Sequence, residues 1–209
     1  MKTQISSFLL LILIAIAPTY AQKNYDQPQI ADSIPVKRLS IGLNIGIPNV
    51  VGGTAEIVLP FFNNHFAPFV DYSKIDMTVD DVDTQFSYIA YGIHFYPSKK
   101  GRGFYISAGK SAFSSDITFN NLSFGQGIVG TAGVPLDLNT TDFKLGIKTG
   151  GRLFFKFDLG YGLGDIPKSL HFTATANGLT KNFSEDIPPL PGIGSNGILL
   201  GSFGFGFSF

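Results

Sequence analysis

The chain has 209 residues with 15 basic and 15 acidic side chains, so it has no net charge and carries no electrostatic footprint for nucleic acid. It has no cysteine, which excludes disulfide frameworks, thiolate metal centres, thiol nucleophiles and a lipid anchor on a mature N-terminal cysteine. Its 25 Gly, 21 Phe and 8 Tyr favour strands and turns over long helices.

Residues 1–21 carry Lys2, an apolar run from Phe8 to Ala17, and Thr19-Tyr20-Ala21 ahead of Gln22. The run is about ten residues, too short to span a bilayer as a helix. With small residues at its end, the segment reads as a cleaved signal peptide for secretion across the inner membrane. Residues 22–37 are polar, hold Pro28 and Pro35 and show no period, so they read as a flexible periplasmic segment. No run of 18 apolar residues follows. The mature chain can therefore cross a membrane only as a closed barrel.

Alternation with a period of two begins at Ser40 and marks a barrel domain over 38–209. Ile41, Leu43, Ile45 and Ile47 share one face, and a turn over Pro48–Gly53 leads to Ala55, Ile57 and Leu59. A third strand sets Phe66, Pro68, Val70 and Tyr72 outward, with Pro68 fitting a bulge or an early edge position. An acidic loop, 76–85, precedes a fourth strand with Ile89, Tyr91, Ile93 and Phe95 outward and Tyr88, Ala90 and His94 inward. Phe104, Ile106 and Ala108 face outward on the fifth strand, but so does Lys110, which requires snorkelling at the outer rim or a bulge that changes face. The sixth and seventh strands alternate over Phe143–Lys148 and Leu153–Tyr161. Aligning their oily faces sets Ile147 opposite Leu153 across a three-residue turn at 149–151.

At the end of the chain Leu199, Phe203, Phe205, Phe207 and Phe209 form one apolar face, with Ser202, Gly204, Gly206 and Ser208 between them. An edge strand this apolar would aggregate in water. Closure against the Ile41–Ile47 face, with lipid as solvent, removes the hazard. The expected fold is all-β: an antiparallel up-and-down transmembrane barrel of about eight strands, alternatively ten, with short periplasmic turns and long extracellular loops.

This pattern over 38–209 resembles the small eight-stranded outer-membrane barrels of bacteria, the group of OmpX-like, OmpW-like and OmpA-type domains. The resemblance implies that Phe203, Phe205, Phe207 and Phe209 form the signal read by the outer-membrane assembly machinery, and that outer-membrane lipids surround the barrel.

Glu56, Asp71 and Asp158 face inward with Lys144, Lys148 and Lys156. In a lumen just wide enough to be filled by side chains, these six read as a paired charge network that plugs it. The expected register puts Lys144 opposite Lys156. His94 reads as a hydrogen-bonded lumen residue. Ser169, His171 and Glu185, in the last outer loop, offer the residue types of a lipid A-modifying enzyme without fixing their geometry. Asp76, Asp80, Asp81 and Asp83 lack the spacing of a calcium loop. Gly103 stands one position too early for Gly109-Lys110-Ser111 to form a phosphate loop. No catalytic residue, metal site or cofactor is assigned.

Asn177-Gly178 marks a hairpin standing above the membrane. The leading expectation is a structural, adhesive or surface-interaction role through the outer loops, with an extracellular protein or surface as partner and no nucleic acid. A conduit for small hydrophobic molecules, suggested by Phe69, Phe154, Ile198 and Leu200, is the alternative, followed by the enzyme.

Overall fold

The structure, a computed structural model, describes residues 35–123, 129–167, 169–176, 179–186, 193–194 and 196–209. The expected signal peptide over 1–21, most of the 22–37 segment, the expected hairpin turn at Asn177-Gly178 and residues 188–191 lie outside the described residues.

Eight antiparallel strands close into a barrel. They are β1 (Leu39–Ile47), β2 (Val50–Ile57), β3 (Phe66–Val79), β4 (Val82–Phe95), β5 (Gly103–Ser123), β6 (Val129–Lys148), β7 (Leu153–Leu163) and β11 (Gly197–Ser208). Three more strands, β8 (Ser169–Ala176), β9 (Leu179–Asp186) and the short β10 (Ile193–Gly194), add to this sheet outside the closed ring. Closure runs through β11, which pairs with β7 on one edge and with β1 on the other, Ile41 opposite Phe207 and Ile45 opposite Phe203. Main-chain bonds from Arg38 N–H to Phe209 O (2.6 Å) and from Phe209 N–H to Leu39 O (2.8 Å) lock the seam. At its centre Gly42 and Gly206 face each other, and a Cβ on either would strike the opposite backbone.

Closing a sheet forces its strands to tilt and stagger. Followed across hydrogen-bonded pairs, Ile41 leads to Ala55, Val70, Tyr91, Lys110, Thr141, Leu163 and Gly197. Gly197 lies beyond Gly201, the partner of Ile47 at the far end of β1. A row that starts low on the barrel therefore finishes high.

Several expectations change for this reason. Ile147 pairs with Phe157 rather than Leu153, and Phe143 with Tyr161. The first residues of β7 are paired with β11 instead, and the turn widens to a loop closed by Phe155 N–H on Thr149 Oγ1 (2.8 Å). The shift is an even number of residues, so every side chain keeps its face. Lys156 consequently stands opposite Lys148, and Lys144 stands opposite Gly160.

The upper connections are also more regular than loops. The first turn shrinks to Pro48 and Asn49. The acidic segment 76–85 continues β3 and β4 up to a tight turn at Asp80 and Asp81. Residues 113–142 are mostly strand, with one register shift between Phe119 and Leu122. β5 alone has 21 residues, about 70 Å of extended chain at 3.3 Å per residue. β8 and β9 form the expected hairpin, attached to the upper part of β6 through Gly130–Gly133. Pro68 sits where the β2–β3 ladder stops at Phe69, so its missing N–H costs no pair there.

Candidate functional site

The inward positions of the eight strands stack in layers. Lowest lie Val58, Ala67, Tyr96 and Tyr105, each 0% exposed, with Val36 against them. This apolar floor spans the lumen between the β2–β3 and β4–β5 turns.

Directly above, Glu56 accepts three hydrogen bonds: from His94 Nδ1 (2.7 Å), Tyr96 Oη (2.9 Å) and Lys148 Nζ (2.6 Å). Lys148 also donates to Ser40 Oγ (2.7 Å), which bonds Ser208 across the β1–β11 seam (2.9 Å). The His94 ring is flanked by Phe69, stacked at 4.2 Å, and by Tyr105 at 4.3 Å. Asp158 accepts from Tyr105 Oη (3.0 Å) and Ser202 Oγ (3.1 Å). Lys156 approaches Asp71 at 3.9 Å and Thr54 at 3.4 Å, and its chain lies over Gly204, where a Cβ would touch it. Lys144 stands 5.7 Å from the centre of the Phe69 ring, Lys156 5.9 Å from it, and Lys148 5.1 Å from that of Phe154. Such contacts hold a buried ammonium at an aromatic face.

All six charged residues assigned to the lumen are buried there, and the structure links Glu56 with Lys148 and Asp71 with Lys156. Lys144 makes no ion pair among the described residues. Its partnership with Lys156 is replaced by the stagger described above. The sequence reading left out Asp142, a fourth buried carboxylate, which accepts from Thr140 Oγ1 and stands two residues before Lys144 on the same face. Starting the sixth strand at Phe143 concealed it. Tyr105 and Ser202 were legible as inward by parity, but only the fold brings them to Asp158. The void between Ser40, Thr54, Glu56, Lys148, Phe154 and Lys156 is too small for a water molecule.

His65 bonds the Tyr96 carbonyl (2.6 Å) and stacks on Phe95. His171 is exposed on β8, two residues after Ser169, and Glu185 pairs in the β8–β9 ladder with Leu170. Asp83 accepts from Thr78 (2.6 Å) and Asn120 (2.8 Å), and Asp81 from Asn121 (2.7 Å). The acidic cluster is thus part of the β3–β4–β5 extension. Among the described residues no group of His, Asp and Glu could hold a metal ion.

Outside, the polarity is reversed. Ile41, Leu145, Phe157 and Phe207 are each more than half exposed, and Phe203, Phe205 and Phe209 project from the same face of β11. Every strand of the ring contributes to this apolar belt. A closed sheet with its polar groups packed inside and its apolar side chains turned out is the architecture of a membrane-spanning β-barrel, because closure satisfies every ladder group and lipid solvates the belt.

No protein-family model matches the chain, and no curated protein matches it in sequence. Its structure is similar to that of CarO from Acinetobacter baumannii (11% identity, TM-score 0.49, covering 82% of this chain and 98% of that one). It is similar to a major outer membrane protein of Thermus thermophilus (11% identity, TM-score 0.49, 82% and 99% covered). Acinetobacter baumannii CarO2 is also similar (12% identity, TM-score 0.45, 84% and 100% covered).

Proposed function

We propose that the chain is a non-enzymatic barrel of a bacterial outer membrane that acts at the cell surface through its upper strands, not as an open pore. The observation that carries this reading is the contrast between the two ends of the barrel. The lower lumen is filled by an apolar floor and a bonded charge layer. The upper β3–β6 strands continue far past the belt and bear β8 and β9. A protein that transported through its axis would have little use for the floor, and one that only anchored would have little use for the extension. The secretory pattern at 1–21 supports export, with the lower end in the periplasm, and the aromatic face of β11 is the part the assembly machinery would read. β9 is an edge strand with Phe183 exposed, suited to an extracellular protein or surface as partner.

The test compares cells carrying the full chain with cells carrying a chain that lacks 169–186. Adhesion and cell–cell aggregation should fall with the deletion while barrel assembly, read by heat-dependent gel mobility, persists. Stable high conductance of the pure protein in planar bilayers would refute the closed lumen.

A second reading, a lateral conduit for small hydrophobic molecules, is favoured by one feature. Among the described residues, β6 has no partner over 134–140 on the edge away from β5, and Val134 and Leu138 face inward there. Phe69 and Phe154 belong to the plug, so such a route would have to leave sideways, above Leu200. Uptake of a fluorescent hydrocarbon probe by cells with and without the chain separates the two readings.

A further inference from the structure

The charged side chains outside the lumen are sorted by height. Lys37, Arg38, Lys99, Lys100, Arg102 and Arg152 stand on the lower segment and turns, which hold no Asp or Glu among the described residues. The upper strands carry Asp76, Asp80, Asp81, Asp83, Asp116 and Asp137. None of these lower bases makes an ion pair among the described residues. They begin where the belt stops: Arg38 precedes Leu39, Arg152 precedes Leu153, and Arg102 stands two residues before Phe104.

Two of them are brought together by the β6–β7 turn. Arg102 leads into β5 and Arg152 into β7, the strands on either side of β6. The Arg102 side chain lies along Gly150, where a Cβ would overlap its Cδ and Nη1. That guanidinium is therefore seated two residues from Arg152. The Arg102 carbonyl accepts from Ser98 Oγ (2.9 Å), which ties the backbone of the β4–β5 turn at this point. Immediately above, Phe104 pairs with Ile147, and both are about half exposed on the belt together with Leu153. Two arginines thus stand at the lower edge of the belt, with a glycine at the place where a larger residue would push one of them away.

We propose that Arg102 and Arg152 bind the phosphate of an anionic phospholipid of the periplasmic leaflet, of the phosphatidylglycerol type. The inference rests on the membrane-spanning reading with the lower end facing the periplasm. In a phospholipid the phosphate adjoins the acyl chains, the same order as arginines and belt. A guanidinium donates two parallel N–H groups to phosphate oxygens, which an ammonium does not. The surroundings then choose among headgroups. A zwitterionic headgroup carries an amine beyond its phosphate, and here that amine would meet Lys99 and Lys100, on the same turn as Arg102, with no carboxylate to receive it. A headgroup that ends in hydroxyls brings only its negative charge to these bases. The acidic upper end opposes the same anion, so the preference belongs to one leaflet.

The test uses the full chain in detergent micelles, titrated with short-chain phosphatidylglycerol or phosphatidylethanolamine and read by native mass spectrometry. Phosphatidylglycerol is expected to be retained at about tenfold lower lipid concentration. Arg102→Gln with Arg152→Gln should abolish the preference. Gly150→Ala, which changes no charge, should reduce it by displacing Arg102. Lys110 supplies the control: the ladders beside β5 run without a shift up to Phe119, so it stays on the outer face, level with Tyr91 and Thr141 and away from the lower turns. Lys110→Gln should leave the preference unchanged. Equal retention of the two lipids, an unchanged arginine double variant, an unchanged Gly150→Ala, or a loss in Lys110→Gln as large as in the arginine variant would overturn the proposal. So would competition by free glycerol phosphate, or by soluble peptidoglycan fragments, at the concentration of the lipid. Heat-dependent gel mobility reports separately on the membrane-spanning reading. Thiol labelling of Lys100→Cys in intact against lysed cells, in a chain with no other cysteine, reports separately on which end faces the periplasm.

Discussion

Lys148 and Lys156 stand directly opposite each other on β6 and β7, yet their ammonium groups are drawn apart to different carboxylates. Lys148 reaches Glu56 at 2.6 Å, and Lys156 turns toward Asp71 at 3.9 Å. Two like charges facing across a ladder are destabilising unless each has its own counter-charge. Glu56 is the more heavily committed of the two acids, since it also accepts from His94 and Tyr96.

Glu56→Gln should therefore lower stability by about 3–5 kcal/mol, the usual cost of removing one partner from a buried pair. The midpoint of urea unfolding in detergent, read by loss of the heat-modifiable band, measures it. Adding Lys148→Met should recover part of the loss, because the orphaned charge is then removed as well. Identical stability of the single and double variants would mean that the pair is not coupled.

Gly146 faces the ring of Tyr105, and a Cβ there would collide with the ring's outer atoms. Gly146→Val should displace Tyr105, break its bond to Asp158 and loosen the floor, at about 1–3 kcal/mol for overpacking. Gly53, where a Cβ meets nothing within 4 Å, is the matched control. Gly53→Ala should leave the unfolding midpoint nearly unchanged.

At the top of the β3–β4 hairpin, the Thr78 hydroxyl and then the Asn120 amide hold the Asp83 carboxyl below its ordinary value of 3.8. A depressed folded value means that the contribution is present above the unfolded value and is lost as pH falls through the folded one. Protection of the Asn120 amide, whose N–H bonds the Asp81 carbonyl, measured relative to its intrinsic exchange rate at each pH, should fall only below about pH 4. In Asp83→Asn that protection should not change over the same range.

Phe205 sits opposite Leu43 and Phe155 on the outer face of the closing strand. Phe205→Arg should cost about 2–4 kcal/mol if that face lies in the middle of the bilayer. Refolding yield into vesicles and the urea midpoint would measure it. A neutral effect would show that the belt is not solvated by lipid.

The sequence by itself determined which side of the sheet each residue occupies, because strand geometry has a period of two and the apolar and polar positions alternate along each strand. Ile41, Phe157 and Phe207 could be placed outside, and Glu56, Asp71, Lys148 and Asp158 inside, from that rule alone. Face is preserved under any even shift of register. The sequence therefore left open whether Ile147 met Leu153 or Phe157, and with it whether Lys144 or Lys148 confronted Lys156. Closure decided this, since eight strands joined β1 to β11 only with a stagger that carries the row from Ile41 past the end of β1. The same stagger brings Tyr105 to Asp158 and places Lys110 beside the point where β7 leaves the sheet. Those are relations between distant strands, and alternation within one strand carries no information about them.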